Sequence, residues 1–248
     1  MDYLAYGHRG APLAGVADHS TTVIDPELGL YLLCDGLGGR TRGTVAAKTA
    51  ASLVHGQLQA QCGSALSAAD PRALVPLIVG AIQHASQQML QLAETEAALA
   101  WMGATITLLL TVGESAVIAH VGDSRAYRVN AGGIVRLTVD HSLVESLVSA
   151  RQISPEEARH HPQSNVIYRT IGDHPQVVVD LKSLRLLPGD RLLLCSDGLS
   201  GMLTDEMIRA EIMAAEAPQS ACVGLVDAAN EAGGEDNCSV ILIELKPL

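Results

Sequence analysis

Four aspartates in this 248-residue chain stand where apolar runs or turns end: Asp35 in CDGLGG, Asp123 in AHVGDSRAYRV, Asp197 in CSDGLSG and Asp236 in GGEDNCSVIL. Taken singly, an Asp-Gly pair after a strand is a turn signal. As a set they have a further consequence. If the tips converge, each like-charge pair at about 4 Å costs roughly 4 kcal/mol at an effective dielectric of 20. Carboxylates gathered in that way need a cation. Oxygen donors select hard ions such as Mg²⁺ or Mn²⁺, and a neighbouring glycine lets the backbone approach closely enough to add a carbonyl. Zinc is a poor fit, because the chain has no Cys-x-x-Cys pair and no His-Glu-x-x-His helix. His160 and His161 are adjacent and, on a helix, point in different directions.

Other polar residues read as structural. Arg125 and Arg128 alternate on or beside a strand that packs locally. Asp140 and His141 in TVDHS resemble a dyad on paper, but their adjacency is read as a helix-start hydrogen bond.

Each aspartate needs an element to deliver it. Strand patterns fall at 28–34, 104–112, 115–121, 125–129, 134–138, 176–181, 190–196 and 238–245, and turn sequences such as Asn130-Ala131-Gly132-Gly133 and Pro188-Gly189-Asp190 join several of them. Helical periodicity is clearest from Pro71 to about Ala98, with Leu74, Ile78, Ala81, Ile82, Ala85, Met89 and Leu92 on one stripe. Further helices are expected from Thr44 to about Gln59, from Thr204 as N-cap to Ala215, and from Gln219 to Ala232. Strands and helices come in blocks and the strands follow hairpins, so antiparallel sheets covered by helices are expected rather than a doubly wound parallel sheet. The fold class is α+β, read as one domain over residues 1–248.

Composition narrows the partners. Acidic residues outnumber basic ones 27 to 16, a formal charge of -11, and aromatics are 2% with no Phe. There is no basic tract to release counterions and no aromatic platform for bases, so nucleic acid is excluded as a partner. Five cysteines without regular spacing read as reduced, buried thiols. The N-terminal MDYLAYGHRG lacks the charged and apolar regions of an export signal, and no apolar run reaches membrane length. A cytoplasmic protein that neither enters membranes nor is exported is expected.

The order of the motifs resembles the metal-dependent serine/threonine protein phosphatases of the protein phosphatase 2C kind, in their compact bacterial form. The resemblance runs through CDGLGG, MGATITLLL, AHVGDSRAYRV, LTVDHSLV, NVIYRTIG, LLPGDRLLLCSDGLS and GGEDNCSV. It implies a four-layer α-β-β-α sandwich, two antiparallel sheets flanked by helix pairs, with two Mn²⁺ or Mg²⁺ ions at one end and room for a third. By carry-over, Asp35 bridges the two ions, the Gly36 carbonyl binds one, and Asp197 with Asp236 holds the other. Asp18 in GVADHS binds through water, and Asp123 helps hold the third ion. Asp35, Asp197 and Asp236 are thus the expected catalytic set. The implied reaction is hydrolysis of phosphomonoesters by a metal-bridged hydroxide, with no covalent phosphoenzyme. The implied partners are a protein phosphorylated on serine or threonine and the cognate kinase, with the phosphatase a monomer. Substrate specificity is expected to lie in a flap at about 143–165.

The chain departs from the family pattern at defined positions. Leu13 holds the place of the phosphate-gripping arginine and Ala17 that of an acidic or amide residue. Arg9 or Arg40 then supplies the grip, or turnover falls. Leu37 and Arg40 stand at the two places where the family puts a histidine, whose loss is expected to cost ~10²–10⁴ in rate if it protonates the leaving oxygen. Gly201 replaces an acidic residue near the third ion. These departures motivate a second reading, a degenerate member that binds phosphoproteins with little turnover. A third is a metal phosphodiesterase acting on a small molecule.

Overall fold

The run Tyr31–Cys34 offers no polar side chain to water, so a strand made from it must be covered on both faces. In the computed structural model, which describes residues 3–9, 19–62 and 71–245, this run is the centre of a strand that is buried throughout. In chain order the elements are β1 (Tyr3–Arg9), β2 (Ser20–Asp25), β3 (Leu30–Leu37), α1 (Arg40–Cys62) and α2 (Pro71–Thr95). After one 3₁₀ turn come β4 (Gly103–Ala104), β5 (Ile106–Val112), β6 (Ser115–Val121), β7 (Arg125–Asn130), β8 (Gly133–Arg136), α3 (Leu143–Ser149) and α4 (Pro155–Arg159). The chain then forms β9 (Asp180–Arg185), β10 (Arg191–Cys195), α5 (Asp197–Ser200), α6 (Asp205–Ala214), α7 (Pro218–Glu231) and β11 (Ser239–Leu245).

Every strand pair is antiparallel. One sheet has the order β1-β11-β10-β7-β8 and the other β2-β3-β5-β6-β9, with β4 paired to the end of β3. The period of two along β3 assigns its residues to two cores. Leu30, Leu32 and Cys34 pack with Ala46, Ala50 and Val54 of α1 and Ile78, Ile82 and Met89 of α2. Tyr31 and Leu33 pack between the sheets with Leu109, Ile118, Leu192, Leu194, Ile241 and Ile243. On the far side, Leu193, Cys195, Val240 and Leu242 meet Ile208 and Ile212 of α6 and Leu225 and Val226 of α7. The layers are therefore helices, sheet, sheet, helices, the α+β sandwich that the resemblance implied.

Register then sets where the acidic residues go. In the second sheet Ser20 pairs with Asp35 and Ile106 with Val121, so the start of β2, the end of β3, the start of β5 and the end of β6 share one edge of the sandwich. In the first sheet Cys195 pairs with both Val240 and Arg125, which puts the end of β10 beside the starts of β11 and β7.

Three strand expectations change. β1 and β2 had no counterpart in the sequence reading, and β9 runs from Asp180 to Arg185 instead of 176–181. The apolar Val177–Val179 stretch leaves the ladder because Val177 is buried against α2, where its carbonyl accepts from Gln83. Pairing with β6 begins only at Asp180, opposite His120. α1 starts four residues earlier than expected, at Arg40, directly after the glycine turn. The Asp140–His141 reading is also corrected. The N-cap of α3 is Ser142, whose hydroxyl accepts from the Glu145 N–H at 3.3 Å. Asp140 instead takes three hydrogen bonds from Arg125, at 2.7, 2.9 and 3.1 Å, and His141 Nδ1 accepts from the Gly122 N–H at 2.9 Å. Arg125 packs locally, as its alternation suggested. Cys34, Cys195, Cys222 and Cys238 are buried.

Candidate active site

At the shared edge, four strand ends release their aspartates into one space. β3 carries Asp35 and Gly36, β6 is followed by Gly122 and Asp123, β10 runs into α5 with Asp197 at its first turn, and Asp236 precedes β11. His19, Asp35, Gly36, Leu37, Gly38, Gly39, Asp123, Asn165, Ile167, Asp197 and Asp236 line a cavity of about 230 Å³. None of these lining residues is a lysine or arginine.

Two glycines let the elements close on that space. A Cβ on Gly36 would lie 1.8 Å from the Gly43 carbonyl oxygen, so only glycine allows the first turns of α1 to cross the end of β3. A Cβ on Gly198 would lie 2.3 Å from the Asn237 carbonyl oxygen, so α5 reaches the Asp236 segment for the same reason. The glycines that read as aids to metal approach therefore also bring backbone against backbone. A hydrogen-bond chain holds the tips. The Asp35 N–H donates to Thr105 Oγ1 at 3.1 Å, Thr105 and Ser124 hydroxyls meet at 2.8 Å, and the Gly36 N–H donates to the His19 carbonyl at 3.1 Å. The His19 N–H in turn donates to Asn237 Oδ1 at 3.2 Å, linking the two sheets.

The electrostatics follow from burial and crowding. Burial pushes the Asp35 carboxyl well above the usual carboxylate range, and the charges of Asp197, Asp123 and Asp236 push it further. Asp123 is raised by burial and then by Asp197 and Asp140. Asp197 is pushed up to about 6 by burial and then by Asp236. One oxygen of Asp197, Oδ1, is buried without any hydrogen-bond partner. Such an atom costs about 1–3 kcal/mol unless something else satisfies it. Among the described residues no three acidic, histidine or cysteine side chains form a finished metal cage. The four aspartates share this cavity with His19, Gly36 and Asn165.

The structure thus brings together Asp35, Gly36, Asp123, Asp197 and Asp236 of the expected site. Asp18, Leu13 and Ala17 lie outside the described residues. Arg9 ends β1 opposite Ser239 and Arg40 opens α1 just past Gly39, but their side chains are likewise outside the described residues. His19, Asn165 and Ile167 were missed. His19 follows Asp18 directly in ADHS, and Asn165 and Ile167 lie in the quoted NVIYRTIG, so their places in the motifs were the available signal. The flap region is polar and partly helical, as read, with α3 and α4 inside it.

Comparison with known proteins agrees with this geometry. The family model described as protein phosphatase 2C matches residues 16–223. A serine/threonine phosphatase stp of Listeria welshimeri is 33% identical over 215 residues, 87% of this chain and 84% of that protein. The serine/threonine phosphatase Stp1 of Staphylococcus aureus, a solved structure, superposes with a TM-score of 0.89 at 31% identity, over 98% of this chain and 95% of that one. The catalytic domain of the serine/threonine protein phosphatase PstP, solved in complex with 2 manganese ions, gives a TM-score of 0.85 at 27% identity over 99% of both chains. The fold and these matches place the chain among the serine/threonine phosphatases, and it belongs to the protein phosphatase 2C family.

Proposed function

We propose that this chain is a serine/threonine phosphoprotein phosphatase that hydrolyses phosphomonoesters with two divalent ions, Mn²⁺ or Mg²⁺, in the cavity at the sandwich edge. The observation that carries the reading is the convergence of Asp35, Asp123, Asp197 and Asp236 on one cavity whose lining contains no lysine or arginine. The donors suit such ions: the four aspartates offer oxygen, Asp197 Oδ1 has no other partner, and burial, then repulsion among the carboxylates, raises the proton affinity of Asp35 and Asp197. Bound there, divalent ions would supply an activated water and neutralise charge on the phosphoryl oxygens.

The chain's own residues have separate tasks. Asp35 and the Gly36 carbonyl bind from the β3 tip, Asp197 and Asp236 bind from the opposite sheet, and Asp18 acts through water. Asp123 serves a third ion. Thr105 and Asn237 orient the tips, and Arg9 or Arg40 grips the substrate phosphate from the first strand or the glycine turn. The working unit is residues 1–248 as one domain, acting as a cytoplasmic monomer opposite a serine/threonine kinase. No described helix is long and apolar enough to cross a membrane. The degenerate reading rested on Leu13, Ala17 and the missing turn histidine, and no observation favours it; each matched relative named above is called a phosphatase.

The test is manganese-dependent phosphate release from p-nitrophenyl phosphate and from a phosphoserine peptide. Activity that rises with Mn²⁺ and disappears in Asp236→Asn is expected. Metal-independent release, or none above the Asp236→Asn control, refutes it.

A further inference from the structure

His141 has only 3% of its side chain exposed, and all four of its polar atoms are engaged beside the cavity. β6 ends at Val121, and Gly122 turns the chain with a φ of 114°, so close to Thr105 that a Cβ would lie 2.5 Å from its Cγ2. The Gly122 N–H donates to His141 Nδ1 at 2.9 Å, and the Gly122 carbonyl accepts from the His141 N–H at 2.7 Å. Asp123 comes next in the chain and lines the cavity. Its other neighbour is held as well. The Ser124 carbonyl accepts from the Thr107 hydroxyl at 3.2 Å, and the Ser124 hydroxyl meets that of Thr105 at 2.8 Å. The His141 carbonyl accepts from the Tyr168 N–H at 2.9 Å, in the flap segment that carries Asn165 and Ile167 to the same cavity.

The grip on Gly122 works for one tautomer only. A ring nitrogen that accepts carries no proton, so a neutral His141 holds its proton on Nε2. Burial lowers the proton affinity of His141, and the ring stacks at 5.0 Å on His120, whose own value burial pushes down to about 4. Two groups compete at Nε2. Asp180 Oδ2, at 3.2 Å, accepts a proton carried there, whereas Arg169 Nη1, at 2.8 Å, can only donate and favours the bare nitrogen. Burial decides between them. A proton on Nδ1 would face the Gly122 N–H in the interior and leave two buried donors unpaired, while at the Nε2 end the guanidinium has Asp180 Oδ1 at 2.7 Å as its acceptor.

We infer that His141 is a positioning residue: with its proton held on Nε2 by Asp180, it clamps Gly122 and so fixes Asp123 at the ion site, together with the flap segment. This rests on the reading of the cavity as a divalent-ion site. Histidines that bind a metal are oriented by a carboxylate on their far nitrogen. Here the same arrangement acts one residue back, on the backbone that carries the ligand.

The test measures Mn²⁺ binding by calorimetry, beside thermal unfolding in chelator, in two substitutions that split the ring. His141→Asn keeps an acceptor at the place of Nδ1, and His141→Gln keeps a polar atom only at the place of Nε2. His141→Gln should weaken the weakest Mn²⁺ site ~10- to 100-fold, and His141→Asn should stay within ~3-fold of the wild type. A merely structural role would lower the unfolding temperature of both and leave the affinity alone. Equal Mn²⁺ affinities in the two variants overturn the inference. Asp180→Ala, at a half-exposed position, surrenders Nε2 to Arg169 and should weaken the same site at least ~3-fold. Unchanged affinity there overturns the inference even if His141→Gln does not fold. Nitrogen-15 NMR of the wild type in chelator reads the tautomer with neither ion nor substrate present. The proton is expected on Nε2, and a proton on Nδ1 overturns the inference. If the wild type binds no Mn²⁺, the ion-site reading fails separately, and the tautomer still decides the clamp.

Discussion

Asp140 and Asp123 are both buried carboxylates, 5% and 8% exposed, set 17 positions apart around the same hairpin, yet they are treated in opposite ways. Asp140 receives three hydrogen bonds from Arg125 and has Arg136 at 3.8 Å as a second cation. Asp123 faces the cavity with Asp35, Asp197 and Asp236, where no lining residue is a lysine or arginine. One carboxylate carries its counter-charge in the sequence; on the proposed reading the others take theirs from divalent ions. Burying an ionised group without a partner is too costly to arise by drift, so the second arrangement marks the site and the first marks scaffold. The same contrast explains why Arg125, although it neighbours Asp123 in sequence, is unavailable to substrate phosphate.

The largest expected effect breaks the acidic side of the comparison. Asp35→Asn should lower phosphatase activity by at least ~10³, about 4 kcal/mol of transition-state stabilisation, and should leave the metal-free fold intact or firmer because it removes one charge from a repelling set. Turnover of p-nitrophenyl phosphate with saturating Mn²⁺, beside thermal unfolding in chelator, reads both halves. A loss of stability in chelator would mean that Asp35 is scaffold after all. Breaking the other side should do the reverse. Arg125→Met leaves the buried Asp140 with only the partly exposed Arg136 at 3.8 Å, and should cost about 3–5 kcal/mol of stability in urea unfolding. Normal stability in that variant would remove the distinction on which the site was recognised.

How much of this was legible beforehand depends on what each residue touches. The apolar runs ending in Cys34 and Cys195 are continuous because their strands are covered on both faces, by the other sheet on one side and by helices on the other. β9 was misplaced because its DLKSLR is an exposed edge strand held by backbone pairing with β6, while the apolar residues just before it pack as a loop. β2 was missed because its side chains are only partly buried and give no clean alternation. The aspartates could be named because the strands deliver them, and glycine accompanies Asp35, Asp123 and Asp197. His19 could not, since its place in the cavity comes from Ser20 pairing with Asp35, a register across a hairpin that local sequence does not specify. Asn165 and Ile167 arrive from the flap, held by the Leu143 N–H donating to the Val166 carbonyl at 2.8 Å and the Tyr168 N–H to the His141 carbonyl at 2.9 Å.

A pH titration sharpens the contrast without mutation. Asp35, Asp123 and Asp197 have raised folded-state proton affinities, Asp197 to about 6 against 3.8 unfolded. The contribution of Asp197 to metal-free stability is therefore fully present below pH 3.8 and lost as pH rises through about 6, and Asp35 and Asp123 act in the same direction. In chelator the midpoint of thermal unfolding should fall on the order of 5 °C between pH 5 and pH 7.5, and Mn²⁺ should restore it at the higher pH. Asp197→Asn should flatten the curve, and a wild-type curve that is already flat would show that the acidic cluster is screened without metal.

The smallest effect concerns Asp140's second cation. Arg136 is partly exposed and divides itself between Asp140 at 3.8 Å and Glu145 at 2.9 Å. Solvent screens it, so Arg136→Gln should cost only about 0.5–1 kcal/mol in urea unfolding, well below the loss from Arg125→Met. A loss as large as that of Arg125→Met would mean that Asp140 needs two cations to be tolerated. The difference between a carboxylate paired in the sequence and one left for a metal would then be a matter of degree, because even the paired group would be held near the limit of what burial allows.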